Sequence, residues 1–208
     1  MGFIRKDIIK INGDIIIYKD EKYEYLDFIK LSKHIKKAVL FILNQDIYIR
    51  KIDIGTCKLS EEKINNIKEL EFGKEENLLI HYEVDKNKNN VYIYALSEGE
   101  KVSCLAKNLK ELRVIPIQMQ YKKKLEKVVH KKNYQCIFSY LDVFYYLNVE
   151  DGHMKICNIY ENLYDVLDFI KKMNLDNALY VGSGIKIDEK EKRYIEVGDI
   201  CNDKVLFK

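Results

Sequence analysis

Hydrophobic and polar positions along this chain repeat with two periods, and the switches between them mark its elements. Residues 3–19 alternate around Asn12-Gly13, which predicts two strands joined by a tight turn. Asn-Gly suits the two positive φ angles of a type I′ turn, and Ile8, Ile15 and Ile17 are expected among the inward residues. A short third strand over 23–26 leads into a helix over 27–37. There Phe28, Leu31 and Ile35 fall on one face, with Lys30, Lys33 and Lys37 off it. The unbroken run Ala38-Val39-Leu40-Phe41-Ile42-Leu43 reads as a strand covered on both sides. Residues 46–54 then alternate, with Ile47, Ile49 and Lys51 opposite Tyr48, Arg50 and Ile52.

Beyond this point the pattern turns helical. Ser60 followed by Glu61 and Glu62 predicts a capped helix start, Ile64, Ile67 and Leu70 a core-facing stripe, and Gly73 a stop. Strands over 78–84 and 91–96 follow, then a helix over 101–111 and a strand over 113–118. A basic helix over 121–132 opens into three strands, 134–140, 143–149 and 153–160. Asn162 is placed to cap a helix over 164–173 whose apolar side is Val166, Leu167, Phe169 and Ile170. Short strands are expected at 178–181, 194–197 and 205–207.

One pentapeptide, Leu-Asp-Phe-Ile-Lys, occurs twice, at residues 26–30 and 167–171. Each copy opens a helix that follows strands and precedes a short apolar strand, so the pair reads as a duplicated supersecondary unit. The expected division is a first half over 1–57, an inserted α+β unit over 58–116 and a second half over 117–208.

The 208 residues are 47% hydrophobic, which supports a sizeable core, and 36 basic against 33 acidic side chains leave a net charge of only +3. So small an excess gives little pull on a polyanion, and no nucleic-acid partner is expected. Five scattered cysteines (Cys57, Cys104, Cys136, Cys157, Cys201) with no C-x-x-C pair fit a reduced, cytoplasmic protein better than a disulfide or zinc framework. The N-terminus has no apolar signal core, and the longest apolar run is too short for a bilayer, so a soluble chain is expected.

Candidate chemistry is sparse. His34, His81, His130 and His153 form no metal-ligand spacing, and Ser60, Ser139 and Ser183 lack a nucleophile-elbow context. No metal site, cofactor or catalytic residue is assigned. The run Lys122-Lys123-Lys124 with Lys127 offers a basic helix face for an acidic partner or anionic headgroups, weighed against a solvated face. Tyr23, Tyr25, Tyr92, Tyr94, Tyr145 and Tyr146 supply aromatic area for the core or for interface anchors.

Three strands, a helix and a strand, written twice around an insertion, resemble the RNase H-like, actin-like superfamily of ATPases, sugar kinases and nucleases. Its ATPases carry a Gly-containing, carboxylate-bearing turn between the first two strands of each half, where bare backbone admits phosphate. Here the first such turn is Lys10-Ile11-Asn12-Gly13-Asp14, with the carboxylate after the glycine and no hydroxyl. The second is Ser139-Tyr140-Leu141-Asp142-Val143-Phe144, with no glycine at all. Asp7, Asp14, Asp53 and Asp142 do not reproduce a nuclease carboxylate set. Gly182-Ser183-Gly184 reads as a strand-ending turn or as a vestige of an adenosine-contacting glycine pair.

Within that superfamily the chain resembles the cytoplasmic actin-like domain of the PilM/GspL group of pilus and secretion assembly platforms. The carrying stretches are residues 38–52, an apolar strand, a polar turn and a second strand bearing Arg50, and residues 178–184, a strand ending in a glycine turn. The resemblance implies a duplicated actin-like α/β fold with an inserted subdomain and a non-enzymatic role linking the assembly ATPase to membrane partners. Those partners would be of PilN/PilO or GspM type, and a homodimer stays open. The chain would then work in the cytoplasm, peripheral to or tethered at the inner or cell membrane. An active actin-like ATPase or sugar kinase is the rival reading, and a degenerate nuclease-fold domain handling DNA a third.

Overall fold

The structure, a computed structural model, describes residues 6–55, 60–73, 77–85, 89–173, 176–187, 194–198, 200 and 202–207. Cys57 and Cys201, and most of the expected entry loop into the insertion, lie outside them. Two five-stranded sheets carry the architecture. In the first, β1 (Asp7–Asn12), β2 (Ile15–Tyr18) and β3 (Glu21–Glu24) form an antiparallel meander, and β4 (Lys37–Leu43) and β8 (Glu111–Pro116) extend it in parallel. The order is β3-β2-β1-β4-β8. In the second, β9 (Tyr134–Tyr140), β10 (Val143–Glu150), β11 (His153–Tyr160), β12 (Leu179–Gly182) and β13 (Tyr194–Val197) repeat it as β11-β10-β9-β12-β13. Third, second, first, fourth, fifth is the strand order in both, with the same directions. The duplication read from one pentapeptide is therefore a duplication of topology.

The pentapeptide copies lie in α1 (Tyr25–Ser32) and α5 (Leu163–Met173), each between the third and fourth strands of its sheet. What they share is one aromatic contact. Phe28 meets Tyr18 edge-on at 5.4 Å and Tyr23 at 5.8 Å, one tyrosine from the second strand and one from the third. Phe169 meets Tyr146 at 5.4 Å and Tyr160 at 6.0 Å, again from the second and third strands. The repeat thus conserves the peg that seats its helix on the sheet. Asn162 caps α5 through a 3.0 Å bond from the Asp165 amide. The first helix stops at Ser32, short of the expected Lys37. Asn108 Nδ2 donates to the carbonyl of Ile29 and to Ser32 Oγ, satisfying groups that another turn would have covered.

A smaller antiparallel sheet, β5-β7-β6, is built from β5 (Tyr48–Asp53), β6 (Leu79–Asp85) and β7 (Asn90–Leu96). The helix α2 (Glu61–Phe72) meets it through Glu71, 3.7 Å from Arg50, and Lys68, over the Tyr82 ring; Ser60 Oγ accepts from the Lys63 amide, and Gly73 ends the helix at φ +70°. Of its expected core stripe, Ile64 is buried but Leu70 is 85% exposed. Strand pairing runs across the expected boundaries. Residues 48–53 pair inside the small sheet, whereas 111–116 complete the first large one. The helix α3 (Gly99–Ala106) packs on α1 and β8.

Three sequence expectations change here. The buried residues of the first hairpin are Ile9, Ile11, Ile16 and Tyr18, so Ile8, Ile15 and Ile17 point to the other face. Residues 205–207 are not a strand: Asp203–Leu206 form a one-turn helix, α6, that follows β13 as α4 (Ile117–Val129) follows β8. Pro116 ends β8 and supplies the extended N-cap of α4, which starts the basic helix four residues earlier than expected. The core runs continuously through both large sheets and the small one, with a second layer under α5.

Replacing Phe28 by Ala should lower unfolding free energy by about 3–5 kcal/mol in a urea titration, as for a large buried aromatic. Leu26→Ala, in the same pentapeptide but 74% exposed, should stay within about 0.5 kcal/mol. At the head of β8, Glu111 accepts from Lys6 and, at 2.9 Å, from Lys37, and these two bonds hold its carboxyl down at about 2. Because the folded value is depressed, its stabilisation is complete above the unfolded value near 4.5 and is lost as pH falls toward 2. A carboxyl-detected NMR titration should place the Glu111 midpoint near the lower value, and Lys37→Met should move it upward.

Candidate functional site between the two sheets

The two hairpin turns that would hold phosphates in an actin-like ATPase are formed by the β1–β2 and β9–β10 connections. In the first, Gly13 and Asp14 are the central residues, and only Gly13 has positive φ (+60°). That is the type II′ pattern, with glycine first, and it replaces the type I′ turn expected from Asn12-Gly13. The turn is occupied by the chain itself. Lys101 Nζ, from α3, donates to the Gly13 carbonyl at 2.9 Å and lies 3.0 Å from Asp14 Oδ1 and 3.0 Å from Glu98 Oε2. Glu98 is buried at φ +97°, and its Oε1 accepts from Gln45 Nε2 at 2.9 Å. Gln118 Nε2 in turn donates to the Gln45 carbonyl. Desolvation works against the Lys101 cation, but its bonds to Asp14 and Glu98 keep its pKa above the ordinary lysine value.

The second turn has Leu141 and Asp142 at φ +49° and +61°, a type I′ turn made without glycine. Immediately before it, Tyr140 points across to the first sheet. Lys10 Nζ, from β1, donates to Tyr140 Oη at 2.9 Å and to Asp203 Oδ2 at 2.5 Å, and Tyr140 Oη donates to Asp203 Oδ1 at 2.9 Å. Lys10 is 7% exposed, and its ammonium sits 4.6 Å from the centre of the Phe207 ring. Phe207 also meets Phe41 at 4.4 Å and Tyr140 at 5.5 Å. Residues of β1, β4, β9 and α6 thus close the space between the sheets with a paired charge inside an aromatic cage. Burial and the Asp203 contact push the Tyr140 hydroxyl well above the ordinary tyrosine range.

The Gly182-Ser183-Gly184 turn has a backbone reason. Gly184 sits at φ +83°, whereas a Cβ at Gly182 would make near-ordinary contact with Phe138 Cβ at 3.4 Å, and the Ile185 amide closes the turn onto the Gly182 carbonyl. Among the described residues, no three His, Cys, Asp or Glu side chains gather where a metal could be held. His153 bonds Glu83 at 2.9 Å and stacks on Tyr92, joining β11 to the small sheet, while His81 stacks on Tyr94. Tyr92, Tyr94, Tyr145 and Tyr146 are buried, and Tyr23 and Tyr25 are half-buried.

The basic helix face is divided. Lys122 is drawn to Glu126 at 2.8 Å and its side chain is only 13% exposed. Lys123, Lys124 and Lys127 instead line a small recess with Arg113 of β8. Arg113 had no place in the sequence-derived set. Only the pairing of β8 beside β4, with α4 folded back over the sheet, brings it to these lysines.

This geometry defines the class of fold: two copies of one five-stranded α/β unit facing each other, with a small α+β insertion, an actin-like arrangement. Solved structures bear this out. The chain is similar to a Bacteroides thetaiotaomicron protein described as having an actin-like ATPase fold and unknown function, at TM-score 0.56 and 12% identity over 98% of this chain and 95% of that one. It is also similar to the cytoplasmic domain of EpsL, an inner-membrane component of the type II secretion system of Vibrio cholerae. There the TM-score is 0.54, with 10% identity over 96% and 92% of the two chains. A PilM-PilN type IV pilus biogenesis complex matches at TM-score 0.47 and 9% identity, over 81% of this chain and 62% of that one. The duplicated actin-like fold read from the sequence is the fold found. No family model and no curated protein sequence matches the chain.

Removing either partner of the buried charge should have unequal effects. Asp203→Ala leaves the Lys10 ammonium enclosed with only a neutral hydroxyl, and should destabilise by about 3 kcal/mol. Lys10→Met keeps the aliphatic packing on Phe207 and leaves Asp203, whose side chain is half exposed, free to hydrate, so about 1 kcal/mol is expected. Equal losses in chemical denaturation would mean that the pair contributes no differential burial.

Proposed function

We propose that this protein is a non-enzymatic, cytoplasmic adaptor of a type IV pilus or type II secretion assembly platform at the inner membrane, coupling the assembly ATPase to membrane partners of PilN/PilO or GspM type. The observation that carries the reading is the make-up of the two phosphate turns. Lys101 holds the Gly13 carbonyl and Asp14 carboxylate of the first, and the second, glycine-free, stands beside the Lys10–Tyr140–Asp203 cluster. An actin-like ATPase needs bare, unengaged backbone at both places. An EpsL cytoplasmic domain among the fold neighbours supports the platform part of the reading. Among the described residues no helix is long and apolar enough to cross a membrane. The partner surface is assigned to α4, at Lys122, Lys123, Lys124 and Lys127, with Lys122 serving chiefly to position Glu126. A homodimer and the choice between pilus and secretion machinery belong to the same proposal.

Calorimetry with Mg²⁺-ATP should give no saturable heat up to millimolar nucleotide, and the purified chain should retain the assembly ATPase or a membrane-platform protein from a reconstituted mixture. Tight ATP binding with turnover would replace this reading by the active ATPase or sugar kinase.

A further inference from the structure

The register of the first sheet fixes what its inter-sheet face presents. Ile17, Lys10, Phe41 and Ile115 lie abreast across β2, β1, β4 and β8, and Ile8, Val39 and Arg113 form the next row. Phe207 covers the middle of the first row and divides the face. On one side a pocket of ≈ 420 Å³ carries equal charges, Lys6, Lys10 and Lys19 against Asp7, Asp20 and Asp203. On the other a recess of ≈ 150 Å³ has a floor of Val39, Phe41, Ile115 and Phe207, and a rim of Arg113, Lys123, Lys124 and Lys127 with no carboxylate.

Among the described residues none of the four rim cations has an ion-pair partner. The acids near them in sequence are engaged elsewhere. Glu111, on the same face two residues before Arg113, is held by Lys6 and Lys37, and Glu126 is held by Lys122. Lys123, Lys124 and Lys127 share one helix face, so strand and helix direct positive charge toward one another across an apolar floor.

Resting on the adaptor reading above, we propose that this recess docks an acidic segment of a partner protein that sets one aliphatic or aromatic side chain between its carboxylates. Size and chemistry decide among anionic ligands. The recess is smaller than the about 300–1,000 Å³ typical of small-molecule sites. The ≈ 440 Å³ pocket that adjoins it at Arg113 and Lys123 carries Glu83 and Glu126, which oppose a polyphosphate, so the recess takes one side chain rather than a nucleotide. A free phosphate would leave the four apolar floor groups uncovered. A bilayer surface would meet the exposed Arg113, Lys123 and Lys127 but could not enter the recess to cover Val39 and Phe41. An extended acidic segment satisfies all three conditions: its carboxylates pair with the rim, its apolar side chain covers the floor, and rim charges steer its approach.

The test uses the full chain as bait for a displayed library of random 12-residue peptides, counter-selected against an Arg113→Gln, Lys123→Gln, Lys124→Gln, Lys127→Gln variant whose fold is checked by its thermal midpoint. Enrichment of Asp and Glu around Leu, Ile or Phe is expected. A selected peptide should bind at least tenfold more weakly to the variant, and tenfold more weakly again when its apolar residue is Ser. No acidic-apolar enrichment, or a selected peptide indifferent to the variant, overturns the proposal. So does displacement by inorganic phosphate alone, or anionic phosphatidylglycerol vesicles binding the chain where peptides do not. If the variant still retains the platform partners, the recess is rejected while the adaptor reading stands; if the unaltered chain retains none, the adaptor reading falls by itself.

Discussion

Everything in this molecule hangs on a stack of three aromatic rings. Tyr121 of α4 lies on Phe138 of β9 with ring centres 3.8 Å apart, and Phe138 lies on Tyr145 of β10 at 4.6 Å. All three are fully buried. The helix contributed by one half thus packs by its aromatic face onto the sheet of the other, and the two copies of the unit cannot separate without exposing the stack. The same stack reaches the insertion. Tyr145 Oη donates to Asn44 Oδ1 at 2.6 Å, in the bend that leads from β4 into the small sheet. One packing event therefore sets the relation of both large sheets and the direction in which the chain leaves for the third.

Local pattern made much of this legible. The meanders, the Ser60 and Asn162 caps and the Gly73 stop follow from spacing and turn chemistry, and the structure contains them. The duplication was visible because Phe28 and Phe169 do the same packing work and so kept the same neighbours. Errors fell where a decision is made in three dimensions. Between Asp7 and Asn12 both faces of β1 are apolar except at Lys10, so alternation alone could not say which is deeper. Residues 205–207 look like a strand by composition, but the last turn of chain coils as α6 to bring Asp203 and Phe207 over Lys10 and Phe41. The recess was half visible: the lysine run announces itself in sequence, while Arg113 joins it only through sheet pairing.

The two turns show how one geometry, written twice, comes to differ in detail. In each half the turn between the first two strands keeps a carboxylate, Asp14 and Asp142, yet the surroundings differ. Asp14 faces a lysine of its own chain, and Asp142 follows a leucine held at positive φ, a conformation that costs roughly 1–2 kcal/mol outside glycine. What the duplication preserved is the packing of helices on sheets, and the differences accumulated at the turns and along α4.

Lys10 also has a consequence for how the chain finds its fold. It is the one charged residue in the middle of a strand that is otherwise Ile8, Ile9 and Ile11, flanked by the equally apolar β2 and β4. Sliding β1 by one residue would exchange the isoleucines at little loss, but it would drive the ammonium beneath Phe28, away from Asp203 and Tyr140. The buried cation is thus an address label: it makes a nearly two-sided strand pair in one frame, and the C-terminal turn of the chain reads the label.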